Sequence, residues 1–215
     1  MNLKLCRWID MQIKICGITL PQEIEELNIL KPDYIGFVFA ESKRKIDGFK
    51  AQALISKLDK SIKTVGVFRK NSLEDILDVI KIADIDVIQL HGDEDNDFIE
   101  RLRQKTDKEI WKAVSITTKD DIIKAESYKV DTLLLDGGNP GSGETFAWQL
   151  INELPKDKRI FLAGGINENN VLQGIERVSP YGIDVSSGVE TITEDGIRNK
   201  DKVKMERLIK MVREV

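Results

Sequence analysis

The sequence predicts an α/β fold, a single-domain (β/α)8 TIM barrel, on three observations. From Met11 onward, short apolar runs alternate with longer segments of helical spacing, the pattern of successive βα units on a parallel sheet. Eight such runs fit into the chain at a repeat of roughly 25 residues, close to the minimum for this barrel, whereas an open doubly wound sheet usually has about five or six strands. The runs are nearly continuous in apolar character, as strands covered on both faces must be.

Taken in order, residues 1–10 show no clear period, and a second methionine, Met11, stands directly before the first run; 1–10 is read as an N-terminal extension and 11–215 as the barrel. Strands are expected over 13–16, 34–39, 64–68, 87–90, 110–114, 132–136, 160–163 and 182–185. Between them the apolar positions fall at helical spacing: Ile24 and Leu27; Leu54, Ile55 and Leu58; Leu73, Ile76, Leu77 and Ile80; Phe98, Ile99 and Leu102; Ile122 and Ile123; Trp148, Leu150 and Ile151; Val171, Leu172 and Ile175. The last helix is strongly patterned, with Met205, Leu208, Ile209 and Val212 on one stripe. Ser72 is placed to cap a helix, and Asp93 with Glu94 puts acid in the first turn expected after Gly92.

Composition narrows the function. The net charge of -4, with no basic helix, argues against nucleic acid as a partner. No run of about 18 apolar residues exists to span a bilayer, and the N-terminus lacks a secretory signal, so no membrane partner and a cytoplasmic location are expected. Two cysteines, Cys6 and Cys16, make no disulfide framework, and a single histidine, His91, implies no metal site.

Active sites of this barrel lie at the C-terminal ends of the strands. The polar groups expected there are Lys14 and Cys16, Gln89 and His91, Lys112 and Ser115, Asp136, the Gly164-Gly165 pair, and Asp184 with Ser186, Ser187 and Gly188. Strand alternation puts Lys14 and Cys16 on one face, Gln89 and His91 on one face, and Asp184 and Ser186 on one face. Gly164, Gly165, Ser186 and Ser187 stand after strands 7 and 8, where barrels often hold a phosphate on backbone N–H groups. The glycine-rich segment 137–143 is expected to close over a substrate. Taken alone, Cys16 reads as a small core hydrophobe and His91 as a structural strand-end residue.

Eight strings in register resemble one family, phosphoribosylanthranilate isomerase: Lys14-Ile15-Cys16-Gly17-Ile18-Thr19; Gly36-Phe37-Val38-Phe39 with Ser42-Lys43-Arg44; Val65-Gly66-Val67-Phe68; Gln89-Leu90-His91-Gly92; Leu134-Leu135-Asp136; Gly141-Ser142-Gly143 before Phe146 and Trp148; Leu162-Ala163-Gly164-Gly165; and Asp184-Val185-Ser186-Ser187-Gly188-Val189-Glu190. The departures are Lys43 where the family has proline, Ala147 where an acid commonly precedes the tryptophan, and Glu144 where a basic residue is frequent. None removes a residue to which the family assigns chemistry.

The resemblance implies an Amadori rearrangement of an anthranilate-bearing phosphosugar in tryptophan biosynthesis, without a cofactor. It implies Cys16 as general base, Asp136 as general acid, Arg44 as the grip on the anthranilate carboxylate, and His91 and Asp184 as substrate-positioning residues. A monomer or homodimer is expected. The acid must hold its proton and the base must lose one. Lys14, two residues before Cys16, is placed either to favour the thiolate or to pair with Asp184, and both readings stand at this point. Rival readings are another phosphate-binding barrel, such as indole-glycerol-phosphate synthase, for which matching strings are missing, or ribulose-phosphate epimerase, which needs metal-binding histidines. A non-catalytic phosphosugar-binding barrel has no need of Cys16 and Asp136 together.

Overall fold

The computed structural model describes residues 11–136, 151, 157–194, 196 and 198–215. Eight parallel strands close into a barrel in sequence order: β1 (Gln12–Cys16), β2 (Tyr34–Val38), β3 (Lys63–Phe68), β4 (Val87–Leu90), β5 (Glu109–Ser115), β6 (Thr132–Asp136), β7 (Arg159–Ala163) and β8 (Gly182–Val185), with β8 pairing back onto β1. The expected single-domain barrel is therefore the observed one. Several strands begin one residue earlier than their apolar runs, at Gln12, Lys63, Glu109 and Arg159, because ladder hydrogen bonds make no demand on side-chain polarity at the barrel's lower rim. The extension 1–10 with Cys6, the glycine-rich segment 137–143, and the helical positions Trp148 and Leu150 lie outside the described residues.

Seven helices are described around the sheet: α1 (Pro21–Leu30), α2 (Gly48–Ile55), α3 (Leu73–Ala83), α4 (Asn96–Arg103), α5 (Lys119–Ser127), α6 (Val171–Val178) and α7 (Lys202–Arg213). Side-chain alternation sorts each strand between two apolar layers. On β1, Ile13 and Ile15 join the outer layer beneath the helices, together with residues such as Ile35, Phe37 and Leu208. The inner layer is a separate cluster of Tyr34, Val65, Val87, Trp111, Ala113, Leu134, Phe161 and Ala163. Trp111 stacks on Phe161 at 4.7 Å and meets Tyr34 edge-on at 5.0 Å, so the barrel interior is a packed plug. Lys14 and Cys16 take the inward positions that Ile13 and Ile15 leave.

The Ser72 cap forms as expected: its hydroxyl accepts from the Asp75 amide at 3.1 Å. The expectation for Asp93 and Glu94 is corrected. α4 starts later, capped by Asp95, which accepts from the Phe98 amide at 2.9 Å. Glu94 instead turns inward and pairs with buried Lys112 at 2.9 Å. A cation that strand alternation buries in the helix-facing layer outweighs the weak pull of a helix dipole.

After β8, a 3-10 turn (Ser187–Val189) leads into an antiparallel hairpin, β9 (Glu190–Ile192) and β10 (Arg198–Lys200), with Lys200 opposite Glu190. Asp201 then caps α7, accepting from the amides of Val203 and Lys204. This hairpin carries no apolar alternation, and its Ile192 is exposed, so periodicity does not announce it.

Candidate active site

The upper interior of the barrel is polar. Lys14 on β1 lies opposite Asp184 on β8 in the ladder, and their side chains form an ion pair of 2.9 Å with Lys14 fully buried. Burial works against the Lys14 ammonium, yet Asp184 and the neighbouring Cys16 together hold its pKa above the ordinary lysine value. Lys14 thus pairs with Asp184, one of its two sequence readings, and its charge also acts on the Cys16 thiol.

Cys16 ends β1, 8 % exposed, with its sulfur over Gly36. A Cβ at Gly36 would sit 2.7 Å from Sγ, so the glycine on β2 is the space in which the sulfur lies. Burial pushes the thiol pKa up, while Lys14 and Lys200 pull it down. The thiol is therefore a protected group whose ionisation depends on nearby cations.

His91 follows β4, with its ring Nδ1 3.1 Å from Gln89 Nε2. This contact with the Gln89 amide orients the imidazole at the mouth. Burial and the Lys14 charge both keep its pKa below the ordinary histidine value. The loop that carries His91 is clamped from behind: Lys112 Nζ donates to the Gly92 carbonyl at 2.6 Å, and Glu94 accepts from the Gly92 amide at 2.8 Å. Lys112 is thus corrected as a mouth residue. It points outward from β5, whereas Ala113 points inward.

Asp136 closes β6, half-buried, and its charge acts on His91 across the mouth. Arg44 reaches in from the loop after β2. Ser42 takes the role of turn-holder, its hydroxyl accepting from the Arg44 amide at 3.1 Å, so Lys43 is tolerated where proline would have fixed the turn. The Arg44 guanidinium lies 3.0 Å from Glu190 and 3.6 Å from Glu23. Among the described residues, its buried Nε and Nη2 donate no hydrogen bond, although Nη2 forms the ion pair with Glu190. Two donors of a planar fork are left for an anion.

On the far side, Gly164 and Gly165 adopt φ of +82° and +66°, open to glycine and strained for other residues. Asn167 and Asn170 both donate to the Gly165 carbonyl, at 2.8 and 3.0 Å, fixing the turn. Gly188 brings the loops after β7 and β8 together, since a Cβ there would fall 1.9 Å from the Ile166 carbonyl oxygen. Ser186 and Ser187 are exposed at this end. The Ser186 hydroxyl donates to the Cys16 carbonyl at 3.1 Å, tying β8 to β1.

Two residues of the site escaped sequence reasoning. Glu23 in α1 accepts the amides of Thr19, Leu20 and Lys200, joining the loop after Cys16 to the hairpin. Lys200 is buried, its ammonium donating to the Ser186 carbonyl and to Glu190, each at 2.9 Å. Their only signals in the sequence are a charged residue in an amphipathic helix and a lysine in a charged loop, neither distinctive.

The fold and rim define a (β/α)8 barrel with a thiol, carboxylates and an imidazole at the strand ends, beside the glycine turn that follows β7. The sequence profile described as N-(5'-phosphoribosyl)anthranilate isomerase matches residues 13–209. The chain is 49 % identical over 225 residues to the N-(5'-phosphoribosyl)anthranilate isomerase of Clostridium beijerinckii, covering 95 % of this chain and 98 % of that one. It superposes on the crystal structure of phosphoribosyl anthranilate isomerase from Thermotoga maritima with a TM-score of 0.85 at 32 % identity, over 95 % of this chain and all of that one (100 %). A phosphoribosyl anthranilate isomerase in complex with reduced 1-(o-carboxyphenylamino)-1-deoxyribulose 5-phosphate aligns with a TM-score of 0.82 at 30 % identity, over 95 % and 100 % of the two chains. The chain belongs to the N-(5'-phosphoribosyl)anthranilate isomerase family, isomerases of tryptophan biosynthesis.

Proposed function

We propose that the protein converts N-(5-phosphoribosyl)anthranilate into 1-(2-carboxyphenylamino)-1-deoxyribulose 5-phosphate with Cys16 as general base and Asp136 as general acid. In this reading the phosphate lies on the backbone of Gly164, Gly165, Ser186 and Ser187, and the anthranilate carboxylate takes the two free donors of Arg44. The observation that carries it is that guanidinium: a buried fork, ion-paired with Glu190 and Glu23 but with no hydrogen bond from Nε or Nη2 among the described residues, suits a carboxylate in the mouth. Asp136 gives its proton to the furanose oxygen as the C1–O bond breaks, producing the protonated Schiff base. The Cys16 thiolate then removes the C2 proton, and the electron pair shifts to neutralise the iminium nitrogen. Tautomerisation of the resulting enolamine, with a proton added at C1, gives the ketose. Atoms and electrons balance within the substrate, so the reaction needs no cofactor.

His91, oriented by Gln89, and Asp184, anchored to Lys14, are assigned the sugar hydroxyls between these two groups. Among the described residues no helix is long and apolar enough to cross a membrane, and the reading places the reaction in the cytoplasm. The test is loss of phosphoribosylanthranilate fluorescence on adding the protein, with formation of the ketose followed by chromatography. Turnover supports the reading. Binding of the reduced product analogue without turnover would make the chain a phosphosugar-binding barrel instead.

A further inference from the structure

The hairpin after β8 brings a second cation to the thiol. Gly17, directly after Cys16, has φ of +87°, and a Cβ built on it would lie 3.7 Å from Lys200 Nζ and 3.5 Å from both Ser186 Oγ and Arg44 Cγ. Lys200 is thus packed against the backbone that carries Cys16, held by the Ser186 carbonyl and by Glu190.

The charges facing Cys16 can be counted element by element. Lys14 on β1 is paired with Asp184 on β8 at 2.9 Å, which opposes part of its pull on the sulfur. Burial keeps His91 below the ordinary histidine pKa, and the charge of Asp136 on β6 acts on it. The remaining groups are Arg44 from the loop after β2, Lys200 and Arg198 from β10, Glu23 from α1 and Glu190 from β9. Of this cluster, Lys200 lies against the backbone that carries Cys16, and its charge favours the thiolate. Glu190 is contacted by all three cations, at 2.9, 3.0 and 3.6 Å. Lys14 exerts the stronger cationic pull on the thiol, partly opposed by Asp184, and Lys200 adds a second pull from the hairpin side.

We propose that Lys200, delivered by the β9–β10 hairpin, is a positioning residue that acts with Lys14 to favour the thiolate of Cys16 for proton abstraction, with Glu190 as the counter-charge that sets how strongly it acts. The proposal rests on the reading of Cys16 as the base. Burial lowers the pKa of Lys200, and Glu190 opposes that, so the carboxylate also keeps the ammonium charged.

The test is the pH dependence of Cys16 carboxamidomethylation by iodoacetamide in the full chain, read at the Cys16 peptide by mass spectrometry to separate it from Cys6. Lys200→Met is expected to raise the midpoint by about one pH unit, and Glu190→Gln to lower it, while Lys200→Arg keeps it near wild type. A merely structural role for the hairpin would loosen the site in both variants and move both midpoints the same way. Shifts in the same direction, or no shift in either, overturn the proposal. Should Lys200→Met fail to unfold cooperatively by circular dichroism, the downward shift in Glu190→Gln decides alone. Turnover by Cys16→Ala is measured separately, so failure of the base assignment and failure of the Lys200 assignment are told apart.

Discussion

Asp184→Asn removes one charge from the buried pair that anchors the inner wall of the mouth. At 2.9 Å, the Coulomb attraction comes to about 6 kcal/mol at an effective dielectric of about 20. That figure is a ceiling, because part of it repays the desolvation of two ions. With Lys14 fully buried and Asp184 nearly so, loss of the partner leaves an uncompensated ammonium, and breaking such a pair costs about 3–5 kcal/mol. The sign with pH follows from Lys14, whose pKa Asp184 and Cys16 hold above the ordinary value despite burial. Its contribution is fully present below the unfolded-state lysine pKa and is lost only as pH rises through the folded one. The penalty is thus expected to be flat between about pH 6 and 8. Urea unfolding followed by circular dichroism measures it. The double variant Lys14→Met, Asp184→Leu should recover most of the loss, since two apolar groups replace two ions. A loss under about 1 kcal/mol in Asp184→Asn, or a double variant no more stable than the single one, would refute the reasoning.

Two other substitutions address the substrate side. Gly36→Ala places a Cβ 2.7 Å from the Cys16 sulfur, so the sulfur must move. Because displacement of a reacting group by about 1 Å costs on the order of 100-fold, steady-state kinetics should show a fall of that size in kcat with KM little changed. Arg44→Ala removes the free fork, and loss of a charge-assisted hydrogen bond of about 1.5–3 kcal/mol raises KM by about 10- to 150-fold; an analogue lacking the ring carboxylate should bind wild type and variant equally, and an unaltered KM for the full substrate would contradict the assignment.

The barrel was legible because its strands are buried on both faces. Runs such as Leu133-Leu134-Leu135 and Ile13 to Cys16 keep their apolar character where any one-sided strand would alternate. Inward direction was legible for Lys14, Cys16 and Asp184 from period-2 alternation, and the structure joins Lys14 to Asp184 as one of its two readings required. Alternation also places Lys112 outward, but reading it by proximity to a strand end put it in the mouth. Its partner Glu94 was assigned to a helix turn because a carboxylate's long-range partner leaves no trace in local spacing. The β9–β10 hairpin stayed hidden for a related reason. Each strand has three residues, its pairing is fixed by buried charge, and Glu23, Arg44, Glu190 and Lys200 come from four separate parts of the chain. Arg44 was found only through the resemblance, since beside Lys43 and Lys45 it reads as a solvated basic loop.

The central claim is that Cys16 and Asp136 divide the two proton transfers, and turnover of Cys16→Ala and Asp136→Asn, alongside calorimetric titration with the reduced product analogue, tests it most directly. Each variant is predicted to lose about 100- to 10,000-fold in kcat while binding the analogue as wild type does. Wild-type kcat in either variant would contradict the account.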